Sequence, residues 1–280
     1  MTLVEGELLG SRTAGSSCIL ELAPENTGGW LKPAGVGGER SLRNTATIRL
    51  VVKLKHVSSP LPFGNRGPIL SPQKLFMLFD PANMSVVDTY RLMVQLITPR
   101  PIAWVSTVSK SGVNNLAPYS FFNGIGANPP SMLFCPVNRR DGSQKDSLLN
   151  VLDTKEFVVN VVSAADAETM NRSSADFDLE VSEFEALGIK MLDSENISPA
   201  RVASSLAQFE CRLLQHIELA EGPAGANVVI GEIVMMHVDD SIIDDGIIDP
   251  AKLDTVGRLG GKAYAKTTDR FDLDRPPAPP

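Results

Sequence analysis

Four stretches carry the side chains that could hold a ligand. In the first, the apolar run Ile102 to Val108 includes Ser106 and Thr107 and meets a Lys-Ser-Gly turn. Hydroxyls and backbone groups there could bond to a planar heterocycle or to its phosphate, although they could equally just satisfy the turn. The second stretch is Asn115-Leu-Ala-Pro-Tyr-Ser-Phe-Phe-Asn, which gathers Ser120, Phe121, Phe122 and Asn123. A flat polar ring needs apolar walls and convergent donors and acceptors, and this stretch offers both; a core aromatic cluster with an Asn-capped turn explains it too. Third, residues 138–147 bring Arg139, Arg140, Lys145 and Ser147 to the start of a candidate helix, where free amides and positive charge suit a phosphate. They lack the P-loop order, and a polar surface loop would have the same residues. Fourth, Gly257-Arg-Leu-Gly-Gly-Lys-Ala-Tyr sets Arg258, Lys262 and Tyr264 around a flexible turn, which also reads as a tight surface turn.

The elements that must position these groups are mostly strands. Val and Ile enrichment with turn residues at the ends predicts strands over 102–108, 131–137, 156–162, 208–219 and 228–238. Short helices fit 86–97, 146–152, 164–173 and 182–187, the last stopped by Gly188. Within 102–108, period two puts Ile102, Trp104 and Ser106 on one face and Ala103, Val105 and Thr107 on the other. Strands with short helical insertions point to a mainly β fold with a closed or partly closed sheet. A doubly wound fold would need regular long crossovers.

Composition bounds the function. The chain has 280 residues, 43% hydrophobic, with a formal charge of −7. Residues 1–72 are net basic and the remainder is strongly acidic, which argues against nucleic acid as a partner. Three cysteines, Cys18, Cys135 and Cys211, are too few for a disulfide framework and lack metal-ligand spacing. The Asp run from Asp239 to Asp249 lacks calcium-loop order, and His56, His216 and His237 are scattered. No run reaches the roughly 18 apolar residues of a membrane span, and no secretory signal is evident. A cytoplasmic protein is the expectation, with a mitochondrial location the alternative if the basic N-terminal segment is a targeting sequence. The Gly-, Pro- and Ser-rich residues 1–72 read as a disordered or loose extension, and a true start at Met77 or Met84 fits the pattern. The regular domain spans 77–272, and a flexible Pro-rich tail covers 273–280.

The order of segments resembles the flavin reductase-like, FMN-binding split-barrel family, which includes flavoredoxin-like proteins. The resemblance rests on Pro99-Arg-Pro-Ile-Ala-Trp-Val-Ser-Thr, Asn115 to Asn123, Asn128-Pro-Pro-Ser-Met-Leu-Phe and Lys145-Asp-Ser-Leu-Leu-Asn. It continues through Glu156-Phe-Val-Val-Asn-Val-Val, Glu210-Cys-Arg-Leu, Val229-Ile-Gly-Glu-Ile-Val and Arg258-Leu-Gly-Gly. It implies an FMN-binding split β-barrel, a homodimer with flavin near the subunit interface, and an oxidoreductase passing hydride from NAD(P)H to flavin. By that resemblance Ser106 and Thr107 lie near the flavin and its ribityl-phosphate arm. Ser120, Phe121, Phe122 and Asn123 line the isoalloxazine, while Lys145 and Ser147 hold phosphate with help from Arg139 or Arg140. Arg258 reaches in from the C-terminal region. Family members often carry threonine where this chain has Ser147, a mild departure. A monooxygenase or other redox protein would be the electron-accepting partner. An FMN-binding electron carrier and a non-enzymatic dimeric barrel fit the same resemblance.

Overall fold

A computed structural model describes residues 77–278 of the chain, so the expectations for 1–72 and for the last two residues lie outside the described residues. Pro81–Pro280 forms one compact unit. Its strands are β1 (Ala103–Val108), β2 (Asn114–Tyr119), β3 (Phe122–Ala127), β4 (Pro130–Phe134), β5 (Glu156–Val161), β6 (Met191–Leu192), β7 (Arg201–Val202), β8 (Ala207–Glu218), β9 (Asn227–Val238), β10 (Ile243–Asp244), β11 (Ile247–Ile248), β12 (Val256–Arg258) and β13 (Tyr264–Lys266). The helices are α1 (Val86–Leu96), α2 (Asp146–Thr154), α3 (Ala167–Arg172), α4 (Glu183–Leu187) and α5 (Pro250–Leu253). No helix among the described residues is long and apolar enough to cross a membrane.

Seven strands form one antiparallel sheet in the order β2-β1-β5-β8-β9-β4-β3. Connectivity alone dictates its shape. Tyr119 ends one edge strand and Phe122 begins the opposite one, so three residue steps, at most about 11 Å of chain, join the two edges. Laid flat, seven strands would hold those edges about 29 Å apart. The sheet must therefore curl round on itself, and the gap between β2 and β3 is the split of a split barrel. The Tyr119 ring, 5.1 Å from that of Phe134 on β4, records this closure.

Alternation sorts side chains between two cores. Ala103 and Val105 of β1, Phe134 of β4, Phe157 and Val159 of β5, Cys211 of β8 and Val229 of β9 fill the barrel, which Leu148 and Val151 of α2 plug. Burial of the Cys211 thiol raises its pKa strongly, as expected of an inert core cysteine. On the outside of β1, Ile102 and Trp104 pack with Leu116, Met170, Phe184, Val202 and Val256. This outer layer carries α3 and α4 across the sheet face. It thereby brings the segment after α3 against β2.

The predicted strands stand within a few residues of their expected bounds. The two edge strands β2 and β3 were not predicted, because Pro118, Gly124 and Gly126 break the usual strand pattern. Such residues are tolerated at an edge, where one side of the strand has no ladder to complete.

Candidate functional site

Helix α2 starts beside β2 and builds one side of a cleft. Its N-cap is Lys145, whose side chain makes no capping bond, so the first-turn amides keep no side-chain acceptor. The cleft is lined by Arg139, Lys145, Asp146 and Ser147 around the start of α2, by Asn115, Ala117, Pro118 and Tyr119 of β2, and by Ser173 to Phe177 with Glu183. The space enclosed is about 80 Å³.

Hydrogen bonds hold this cleft in shape. Asn115 Nδ2 donates to Ser147 Oγ at 3.2 Å, joining β2 to the start of α2. Arg139 Nη2 pairs with Asp146 Oδ2 at 2.6 Å, and Lys145 Nζ reaches the exposed Asp176 at 3.5 Å. Trp104 Nε1 donates to Ser173 Oγ at 2.9 Å, which fixes the start of the Ser173 to Phe177 segment. Glu183 is buried, and its carboxylate accepts from the Leu116 amide at 2.8 Å. Burial pushes that carboxyl up, against the pull of the Leu116 hydrogen bond. Burial likewise pushes the Tyr119 phenol up to about 12, with its hydrogen bond to Ser147 acting the other way. The phenol therefore stays a neutral donor.

A second cluster follows immediately along the chain. Ser120 Oγ accepts from Arg100 Nε at 3.3 Å, and the Phe121 ring stands edge-on to Tyr90 with centroids 6.3 Å apart. Phe122 packs against the barrel core, while Asn123 is exposed on β3. These residues make an aromatic corner beside the cleft.

The structure therefore brings Lys145 and Ser147 together with Arg139, and Ser120 to Asn123 into one corner. Arg140 is exposed and does not line the cleft. Two expectations change. Ser106 and Thr107 are both fully buried: Ser106 Oγ donates to the Ala200 carbonyl at 2.5 Å, and Thr107 Oγ1 accepts from Asn150 at 3.1 Å. Both faces of β1 are covered, so neither hydroxyl reaches the cleft. Arg258 does not line the cleft either; its guanidinium lies 4.4 Å over the Tyr264 ring and donates to the Gly261 carbonyl. Its backbone pairs with that of Arg100, which places it behind the aromatic corner.

Sequence reasoning passed over Arg100, Glu183 and the Ser173–Asp176 segment. An arginine between two prolines, and a glutamate opening a short helix after a serine, were the local signals. Neither says what lies across the fold.

No histidine or cysteine lines the cleft, and the two described histidines are bonded elsewhere, His216 to Asn227 and His237 to Glu210. The cleft sets two cations, Arg139 and Lys145, and the Ser147 hydroxyl among three carboxylates, Asp146, Asp176 and Glu183.

The architecture is a split barrel with a polar cleft at a helix start, and comparison with known proteins gives its family. Residues 95–249 match the model of the flavin reductase like domain, and the chain belongs to that family. A 178-residue stretch is 40% identical to an uncharacterized protein of Aquifex aeolicus, covering 63% of this chain and 89% of that one. Among solved structures, nitrilotriacetate monooxygenase component B from Bacillus cereus is 33% identical, with a TM-score of 0.68 over 71% of this chain and all of its own. Pseudomonas fluorescens 2-nitrobenzoate 2-nitroreductase NbaA is 32% identical, with a TM-score of 0.65 over 73% and 98% of the two chains.

Proposed function

We propose that this protein is an FMN-dependent oxidoreductase that takes hydride from NAD(P)H. The observation that carries the reading is the uncapped start of α2, where Lys145, Arg139 and Ser147 converge on a space suited to a phosphate. The residues present fit FMN: cations, a hydroxyl and amides for its phosphate, and Phe121 with Ser120 for the ring. Bound FMN supplies a two-electron centre that accepts a hydride and gains negative charge in doing so. The protein's share is to hold and orient. Lys145 neutralises phosphate, with Arg139 held at the cleft by Asp146; Ser147, braced by Asn115, fixes its position, and the aromatic corner gives the ring an apolar wall that excludes water.

The enclosed cleft is well below the roughly 300–1,000 Å³ of a complete small-molecule site, so one copy encloses only part of such a ligand. Exposed apolar side chains on α1, including Val86, Tyr90 and Leu96, support a homodimer in which the partner completes the site. Membership of a family that includes component B of a monooxygenase supports a monooxygenase or other redox protein as acceptor.

Anaerobic titration of FMN-loaded protein with NADH and then NADPH tests the reading. Prompt bleaching of the oxidised-flavin absorbance by either donor is the expected result. A yellow protein untouched by both would make it an electron carrier with another donor, and failure to retain FMN would remove the flavin reading.

A further inference from the structure

Arg100 is 4% exposed, and among the described residues every hydrogen-bond partner of its guanidinium is neutral. Nη1 donates to the Val94 and Ile97 carbonyls at 2.7 and 2.6 Å, Nη2 to the Leu259 carbonyl at 3.2 Å, and Nε to Ser120 Oγ at 3.3 Å. No carboxylate among the described residues forms an ion pair with it. Its Cζ lies 5.9 Å from the Phe121 ring centroid. One buried side chain thus ties the end of α1, the turn after β12 and the aromatic corner together.

A buried cation held only by neutral groups is costly. The carbonyls at the end of α1 carry the negative pole of the helix and offset part of the charge. They do not cancel it, and Arg258 adds a second positive charge on the same side. Arginine remains protonated in such surroundings. The corner at Ser120 and Phe121 therefore carries positive charge that no acidic side chain among the described residues pairs with.

We propose that Arg100 is a positioning residue that makes this corner prefer negative charge, so that flavin bound there is held more tightly in its reduced, anionic form than in its neutral oxidised form. This rests on the FMN reading given above. A residue that merely closed the end of α1 would affect stability and leave the two flavin forms equally treated.

The test compares the midpoint potential of protein-bound FMN with that of free FMN, which reports the ratio of reduced to oxidised affinity, and measures oxidised FMN binding by fluorescence. Arg100→Gln is expected to lower that ratio about tenfold, equivalent to about 30 mV for a two-electron couple, while Arg100→Lys retains most of it. Because Arg100 is buried, a second pair guards against misfolding. Tyr90 is 52% exposed on α1 and touches Phe121, the ring beside which the Arg100 guanidinium lies. Tyr90→Glu, set against Tyr90→Gln, is expected to lower the ratio in the same direction in a folded protein. Unchanged potentials in the glutamate variant and in any folded Arg100→Gln protein would overturn the role of Arg100 with FMN still bound. A wild-type protein that binds no FMN would instead overturn the underlying reading, and the inference with it.

Discussion

Asn115 and Ser147 stand 32 positions apart in the chain, yet Asn115 Nδ2 donates to Ser147 Oγ at 3.2 Å. That bond fastens an edge strand of the barrel to the first turn of the helix that plugs it. Strand, helix start and cleft are one mechanical unit, so ligand affinity should respond to residues on both sides of the bond.

Lys145→Ala and Ser147→Ala should each weaken FMN binding about tenfold, the value of one charge-assisted hydrogen bond. Asn115→Ala should weaken it less, because it removes the support and leaves the contact groups in place. Fluorescence titration checks the order, and unchanged affinity in Lys145→Ala would remove the phosphate assignment.

Asp176 competes for Lys145. Its side chain is 88% exposed and 3.5 Å from the ammonium, so the pair is worth at most about 1 kcal/mol. Asp176→Asn should raise FMN affinity by up to about fivefold at low salt, and the gain should shrink at high salt. A loss of affinity would mean that the carboxylate supports the cleft.

Gly231 on β9 is a packing requirement. A Cβ there would sit 2.4 Å from Phe157 Cζ and 3.2 Å from Cys211 Cβ. Gly231→Ala should cost about 1–3 kcal/mol in urea unfolding. Trimming the neighbour in Gly231→Ala/Phe157→Leu should recover part of that loss.

Glu210 sets an acid limit on stability. Burial alone would raise its carboxyl, but the Glu195 and Asn196 amides and the His237 ring outweigh burial and hold its pKa below the ordinary 4.5. A pKa depressed by folding stabilises fully above the unfolded value, and that contribution is lost as pH falls through the folded one. Unfolding midpoints of the wild type should therefore drop below pH 4.5 more steeply than those of Glu210→Gln, which should be less stable at neutral pH.

The domain proposed for 77–272 should stand without what precedes it. A chain beginning at Met77 should unfold with the same midpoint as the full chain and bind FMN equally well. A lower midpoint would make the preceding residues part of the domain.

Much of the barrel was legible because its central strands announce themselves. Phe157-Val-Val and Val228-Val-Ile-Gly-Glu-Ile-Val are β-branched runs that only a buried sheet can use. The edge strands hid behind Pro118, Gly124 and Gly126, residues excluded from central strands but acceptable where a ladder ends. That Lys145 and Ser147 stand together at a helix start was readable because those residues are local in the chain. Ser106 and Thr107 misled because alternation assigns a side chain to a face without saying whether that face is open. Arg100 and Glu183 acquire their roles from Ser120, Leu259 and Leu116, contacts made across the fold that spacing does not encode.

The free edge of β2 has a further consequence. The outward amide of Leu116 is already occupied by Glu183, and Pro118 has no amide to offer. A passing extended peptide would find no continuous row of donors to zip onto, so the barrel resists self-templated growth at its own seam. The gap between the two edges therefore offers no ready splice to another chain.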